Sequence, residues 1–190
     1  MAHDPEDVLR FWLEEKSPAD WYKGGAALDA EIRARFLSAW EAARDGALFD
    51  WIHTARGALA FLILTDQFSR NIHRDDARAF ATDPLARAVA ARSVAADLDQ
   101  QIDPSPRQFF FLPFEHSEDM ADQDRAVALI GERMEAPETL LHARVHREII
   151  ARFGRFPFRN EALGRASTPE ERAFMDEGGY GALLRAFQDG

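Results

Sequence analysis

The sequence predicts an all-α fold. Three observations carry this: apolar residues recur every three or four positions through most of the chain, Asp-Pro and Thr-Pro pairs stand ahead of these runs as helix starts, and no stretch alternates with period two.

Asp4-Pro5 is a cap followed by a proline at the first helical position, and Val8, Leu9, Phe11 and Trp12 supply an apolar face, so a short helix opens the chain. Ile32, Phe36, Trp40 and Ala43 then form one stripe, which Asp45-Gly46 ends. Between Thr54 and about Arg70, Leu59, Leu62 and Ile63 occupy one face while Phe61, Leu64 and Phe68 occupy nearly the opposite one. A helix apolar on both sides belongs in the interior. Asp83-Pro84 repeats the cap-and-proline start before Leu85, Ala88, Val89 and Val94, and Pro104 with Pro106 frames a loop ahead of the apolar element at 108–112. Residues 120–134 and 137–153 read as two further helices, the second ended by Gly154 as a left-handed residue. Thr168-Pro169-Glu170-Glu171 is a capping box for a last short helix. Trp12, Trp21, Trp40 and Trp51 fall on or beside the early stripes and are expected to pack in the N-terminal half.

At 190 residues the chain suits a single helical domain spanning 1–190, long enough to bury roughly 70% of its unfolded surface. The absence of cysteine excludes a disulfide framework and thiolate chemistry. The acidic start lacks the basic-then-apolar order of a signal peptide, and the apolar run at 57–64 is too short to cross a bilayer, so a cytoplasmic protein without membrane contact is expected. A net charge of -10 opposes a phosphate backbone and argues against general nucleic-acid binding. Eight acids between Glu115 and Glu138 face six arginines between Arg144 and Arg165, and pairing of the two segments explains both blocks.

Three polar clusters interrupt the apolar pattern. Asp66 and Arg70 share a stripe with Leu59, Leu62 and Ile63, so they form either a structural ion pair closing the helix, with Asn71 as its cap, or part of a ligand site. His116 lies among Glu115, Glu118 and Asp119, and neighbouring carboxylates suit an imidazole for general acid or base work. Ser117-Glu118-Asp119 is equally a helix start, which accounts for Ser117 but not for His116. In the third cluster His146 faces inward between Val145, Ile149 and Ile150, and an arginine-rich turn carrying Arg155, Arg159 and Asn160 follows Gly154. His142 precedes His146 by one turn, but no Glu follows the first His as in a zinc-protease helix, so neither a metal nor another cofactor is expected.

Taken as an ordered set, Val8-Leu9-Arg10-Phe11-Trp12, Asp66-Gln67-Phe68 with Arg70-Asn71, Leu112-Pro113-Phe114 with His116-Ser117-Glu118, and Arg152-Phe153-Gly154-Arg155-Phe156-Pro157 with Arg159-Asn160 resemble domain-of-unknown-function family 924. This bacterial group sits in the tetratricopeptide-like helical superfamily. The resemblance implies a compact array of antiparallel helices in a tetratricopeptide-like superhelical arrangement; it implies no reaction. The chain departs from the family pattern at Ser69, where proline is usual, at His73, where an aromatic is common, and at Phe158, where the pattern carries a histidine.

Two function classes follow. In the first, a small anionic molecule binds a polar pocket in which Arg70, Arg155 and Arg159 hold the charge, Asn71 joins the ligand-binding set, Asp66 and Asn160 orient the arginines, and His116, His146 and Glu118 are the catalytic candidates. In the second, the helices present a groove to a peptide and the buried polar network is structural.

Overall fold

The computed structural model describes residues 3–189, with the side chains at 22 and 23 outside the description. Among the described residues the regular structure is helical, without a strand, as the periodicity requires. The chain forms two compact units, Met1–Pro113 and Phe114–Gly190.

In the first unit, α1 (Pro5–Leu9) starts on the Asp4 carboxylate, which accepts the Glu6 N–H, and runs into a π-helical turn at Arg10–Glu15. The short α2 (Pro18–Lys23) starts with a Ser17/Asp20 capping box that the apolar pattern did not reveal, and α3 (Ala26–Arg44) carries the predicted stripe. After a 3-10 turn at Phe49–His53, α4 (Ala55–Leu62), a π-helical stretch (Ile63–Phe68) and α5 (Ser69–Ile72) continue one another. This is the expected interior helix: Phe61 and Leu64 are both fully buried. It is not uniformly α, because the Thr65 hydroxyl donates back to the Phe61 carbonyl and the Ser69 hydroxyl to that of Asp66, competing with the regular ladder.

The helix enters under close constraint. At Gly57 an added Cβ would stand 2.1 Å from the Trp51 carbonyl oxygen, so only glycine lets the 3-10 turn and α4 approach this closely. Helix α6 begins at Asp83 (Asp83–Ala95), with Thr82 as its cap position, since the Asp83 carboxylate serves Arg70 instead. The proline-framed stretch is helical as well, as α7 (Pro104–Arg107), because each proline sits where a helix start tolerates it. The four tryptophans belong to this unit, with Trp12 and Trp40 buried; Trp21 donates its indole N–H to the Trp12 carbonyl and Trp40 to Thr82.

The unit boundary falls within α8 (Leu112–Glu115). In the second unit, α9 (Met120–Arg133) and α10 (Pro137–Phe153) pack against each other across a short connection. Gly154 ends α10 at φ 67°, as predicted. The capping box at Thr168 starts α11 (Pro169–Asp176), and a further helix, α12 (Gly179–Gln188), lies against α10. Val145, Ile149, Ile150, Phe156, Phe174 and Leu183 form the core between these helices, each large side chain contributing roughly 1.5–3 kcal/mol by burial. Among the described residues no helix is long and apolar enough to cross a membrane.

Candidate functional site

Helix α10 turns His142 and His146 to one side, one turn apart, while Val145 and Ile149 enter the core. The end of α8 brings Glu115 to His146, with Nδ1 2.8 Å from Glu115 Oε1 and 3.0 Å from the His142 carbonyl oxygen. Both neighbours are acceptors. Nδ1 therefore carries a proton, and in the neutral ring Nε2 holds the lone pair. Glu115 is 2% exposed; its Oε2 is buried with no hydrogen-bond partner among the described residues, and its Oε1 faces His146.

The surroundings of His146 are aromatic. Its ring centroid lies 4.9 Å from Tyr180, 5.5 Å from Phe156 in an edge-on contact, and 6.1 Å from His116. The Tyr180 hydroxyl hydrogen-bonds His142 Nδ1. Phe158 stacks on Phe156 at 5.2 Å, and the Arg159 guanidinium lies 4.5 Å from the Phe156 ring centre. Gln123, fully buried on α9, fixes the approach of Glu115 and His116: its amide donates to the carbonyls of Glu115 at 2.6 Å and Ser117 at 2.7 Å.

A second polar system fixes the turn after α10. Arg165 grips Glu118 through two bonds of 2.7 and 2.9 Å, and Glu118 also accepts the Phe156 N–H at 2.8 Å. Burial pushes the Glu118 carboxyl up, but the Arg165 bonds, the Phe156 amide and the charges of Arg165 and Arg159 outweigh it and hold the group below the usual carboxylate range. Arg165 continues to Asn160, Asn160 donates to Glu171, and Arg155 binds Glu171 at 2.5 and 2.8 Å. The Arg155 hydrogen bonds hold Glu171 at a pKa of about 2 against its burial, with the Thr168 N–H and Asn160 assisting. Facing charge blocks pair here as expected, in Glu118–Arg165 and Asp124–Arg147.

His116, Glu118, His146, Arg155, Arg159 and Asn160 thus all belong to the second unit, but as two systems: His146 with His116, and Glu118, Arg155 and Asn160 in the arginine–carboxylate chain. The acid that reaches His146 is Glu115, not Glu118. Asp66, Arg70 and Asn71 lie in the first unit. There Arg70 stands 3.8 Å from Asp66 and 2.8 Å from Asp83, and donates to the Ala79 carbonyl. Asn71 donates to Asp29 at 2.8 Å rather than capping its helix.

Glu115, Gln123 and Tyr180 were not singled out from the sequence. Gln123 had a signal, because it shares the buried stripe of α9 with Ala126 and Ile130. Glu115 had a weaker one, its place beside His116. Tyr180 had none, since α12 was not predicted.

The sequence matches, over residues 8–179, the family described as bacterial protein of unknown function (DUF924). Its fold is similar to the solved structure of a protein of unknown function from Agrobacterium tumefaciens, 42% identical, with 92% of this chain and 97% of that one aligned at a TM-score of 0.86. No curated protein matches it significantly.

Proposed function

We propose, for a chain that belongs to the DUF924 family of bacterial proteins of unknown function, an acid–base site for a small anionic molecule, centred on His146. One observation carries this reading: the acceptors at 2.8 and 3.0 Å from Nδ1 leave Nε2 as the base of the neutral ring. A carboxylate behind an imidazole fixes its tautomer and stabilises the imidazolium formed when Nε2 takes a proton. Glu115 orients, His146 transfers the proton, and His116 offers a second imidazole 6.1 Å away. Arg159 and the imidazolium supply positive charge for an anion. Arg155, Asn160 and Glu118 act as supports, because their network fixes the turn that carries Arg159. Asp66, Arg70 and Asn71 take structural roles in the first unit, a reading supported by the Arg70–Asp83 pair.

A purely structural role for the polar groups has one observation in its favour, the extended pairing from Glu118 to Arg155. A thermal-shift screen with phosphate- and carboxylate-bearing metabolites separates the two. The acid–base reading expects a carboxylate to raise the Tm of the native chain and His146→Gln to lose that rise, each shift being read against the same variant's unliganded Tm. A screen without any stabilising anion, or a rise unchanged in His146→Gln, favours the structural role.

A further inference from the structure

A cavity of about 610 Å³ opens in the first unit between the start of α1, one face of α3 and the 3-10 turn at Phe49–His53. Val8, Phe36 and Ala39 form its apolar floor, Asp4, Asp7, Arg35 and Trp51 stand around them, and His3 and Ser38 add polar atoms. This volume suits a small organic molecule. Among the described residues no group of three or more His, Asp and Glu side chains could hold a metal ion, so the lining does not fit a bare divalent cation.

The charge around the cavity is one-sided. Arg35 is the only arginine or lysine lining it among the described residues, and its guanidinium is committed: it binds Glu15 at 2.6 and 3.1 Å and lies over the Phe11 and Phe36 rings. Asp4 uses Oδ1 to accept the Glu6 N–H, which leaves Oδ2 without a hydrogen-bond partner among the described residues. Asp7 meets Arg10 in one contact of 3.1 Å with both side chains more than half exposed, where water screens the pair strongly. Two carboxylates therefore border a space whose one guanidinium is already neutralised by Glu15. Such a lining attracts a positive charge.

Trp51 is an independent observation. Trp12, Trp21 and Trp40 each pack on another aromatic ring, and Trp21 and Trp40 also place their indole N–H groups. Trp51 is half-buried, lines the cavity, and has neither a ring partner nor an indole hydrogen bond among the described residues. An indole left bare beside carboxylates offers its face to a cation carrying alkyl groups, which gains both the ring quadrupole and the apolar floor.

We propose that this cavity binds a small organic ammonium cation, with its charge beside Asp4 and Asp7 and its carbon atoms against Trp51 and the Val8–Phe36–Ala39 floor. The site lies wholly in the first unit, and the proposal is independent of the acid–base reading of His146.

The test compares choline with 3,3-dimethylbutan-1-ol, which has the same shape without the charge, and adds n-butylammonium as a second cation. Binding to the native full-length chain is measured by calorimetry at low salt, and the Trp51 indole N–H is followed by NMR after assignment through Trp51→Leu. Choline is expected to bind about tenfold more tightly than its neutral counterpart, an advantage that shrinks as salt is raised. It is also expected to shift the Trp51 resonance. A chain carrying Asp4→Asn and Asp7→Asn keeps a side chain able to cap α1 and is expected to lose most of the preference for choline. Trp51→Leu is expected to weaken choline about threefold. Equal affinities for choline and the alcohol overturn the cation class; binding undiminished in the double variant, an unmoved Trp51 resonance, or shifts confined to the second unit overturn the site. Absence of binding by both choline and n-butylammonium overturns the proposal as a whole.

Discussion

Nδ1 of His146 lies 2.8 Å from Oε1 of the buried Glu115, which brings the histidine on α10 and the glutamate ending α8 into direct polar contact. Removing one partner of a buried polar contact leaves the other unsatisfied, at a cost of about 1–3 kcal/mol. Glu115→Ala should therefore destabilise the protein by about 2 kcal/mol in urea unfolding and release His146 to either tautomer. Glu115→Gln keeps an acceptor at Nδ1 and should retain the tautomer. Equal tautomer mixtures in both variants would remove Glu115 from its orienting role.

Glu171 gives a pH prediction. Its carboxyl falls from an ordinary 4.5 to about 2 because Arg155 hydrogen-bonds the charged form. A depressed folded-state pKa contributes stability that is complete above the unfolded value and is lost as pH falls through the folded one. Stability should thus decline between about pH 4.5 and pH 2, and Glu171→Gln should flatten that limb while costing about 2–3 kcal/mol at neutral pH. An acid limb of unchanged steepness in the variant contradicts the assignment.

His73 makes a second pH prediction, of different origin. Its ring is 4% exposed, packs 4.5 Å from Trp40, and has both nitrogens without hydrogen-bond partners among the described residues. Burial, with the charges of Arg78 and Arg33, pushes its pKa below the ordinary 6.5, opposed by Asp76 and Glu41. The unfolded chain takes up this proton first, so stability should fall as pH drops below 6.5. His73→Phe should remove that dependence and leave stability at pH 7.5 unchanged or raised. A dependence surviving in His73→Phe would point to other groups.

Gly57→Ala should be among the most damaging small substitutions in the first unit. Its new Cβ meets a backbone oxygen at 2.1 Å, which no rotamer relieves. A loss of at least about 3 kcal/mol is expected in chemical unfolding; a loss under 1 kcal/mol would mean that the 3-10 turn yields freely.

These cases mark what the sequence made legible. Periodicity placed the interior helix, because Leu59 and Phe61 advertise two apolar faces, and local chemistry placed Gly154 and the Thr168 capping box. The π-helical stretch at Ile63–Phe68 escaped, since hydroxyl back-bonding at Thr65 and Ser69 leaves no periodic trace. The inward aspect of His146 was legible from the helical wheel. Its partner was not: Glu115 lies 31 positions earlier on another helix, and only tertiary packing decides that it, and not Glu118, reaches the ring.

The measurement that bears most directly on the account is the protonation pattern of the His146 ring, read from long-range proton–nitrogen correlations on the native chain at pH 8. The account predicts a protonated Nδ1 and an unprotonated Nε2. A proton on Nε2 with Nδ1 bare would contradict it, because the side facing Glu115 and the His142 carbonyl would then hold a lone pair against two acceptors.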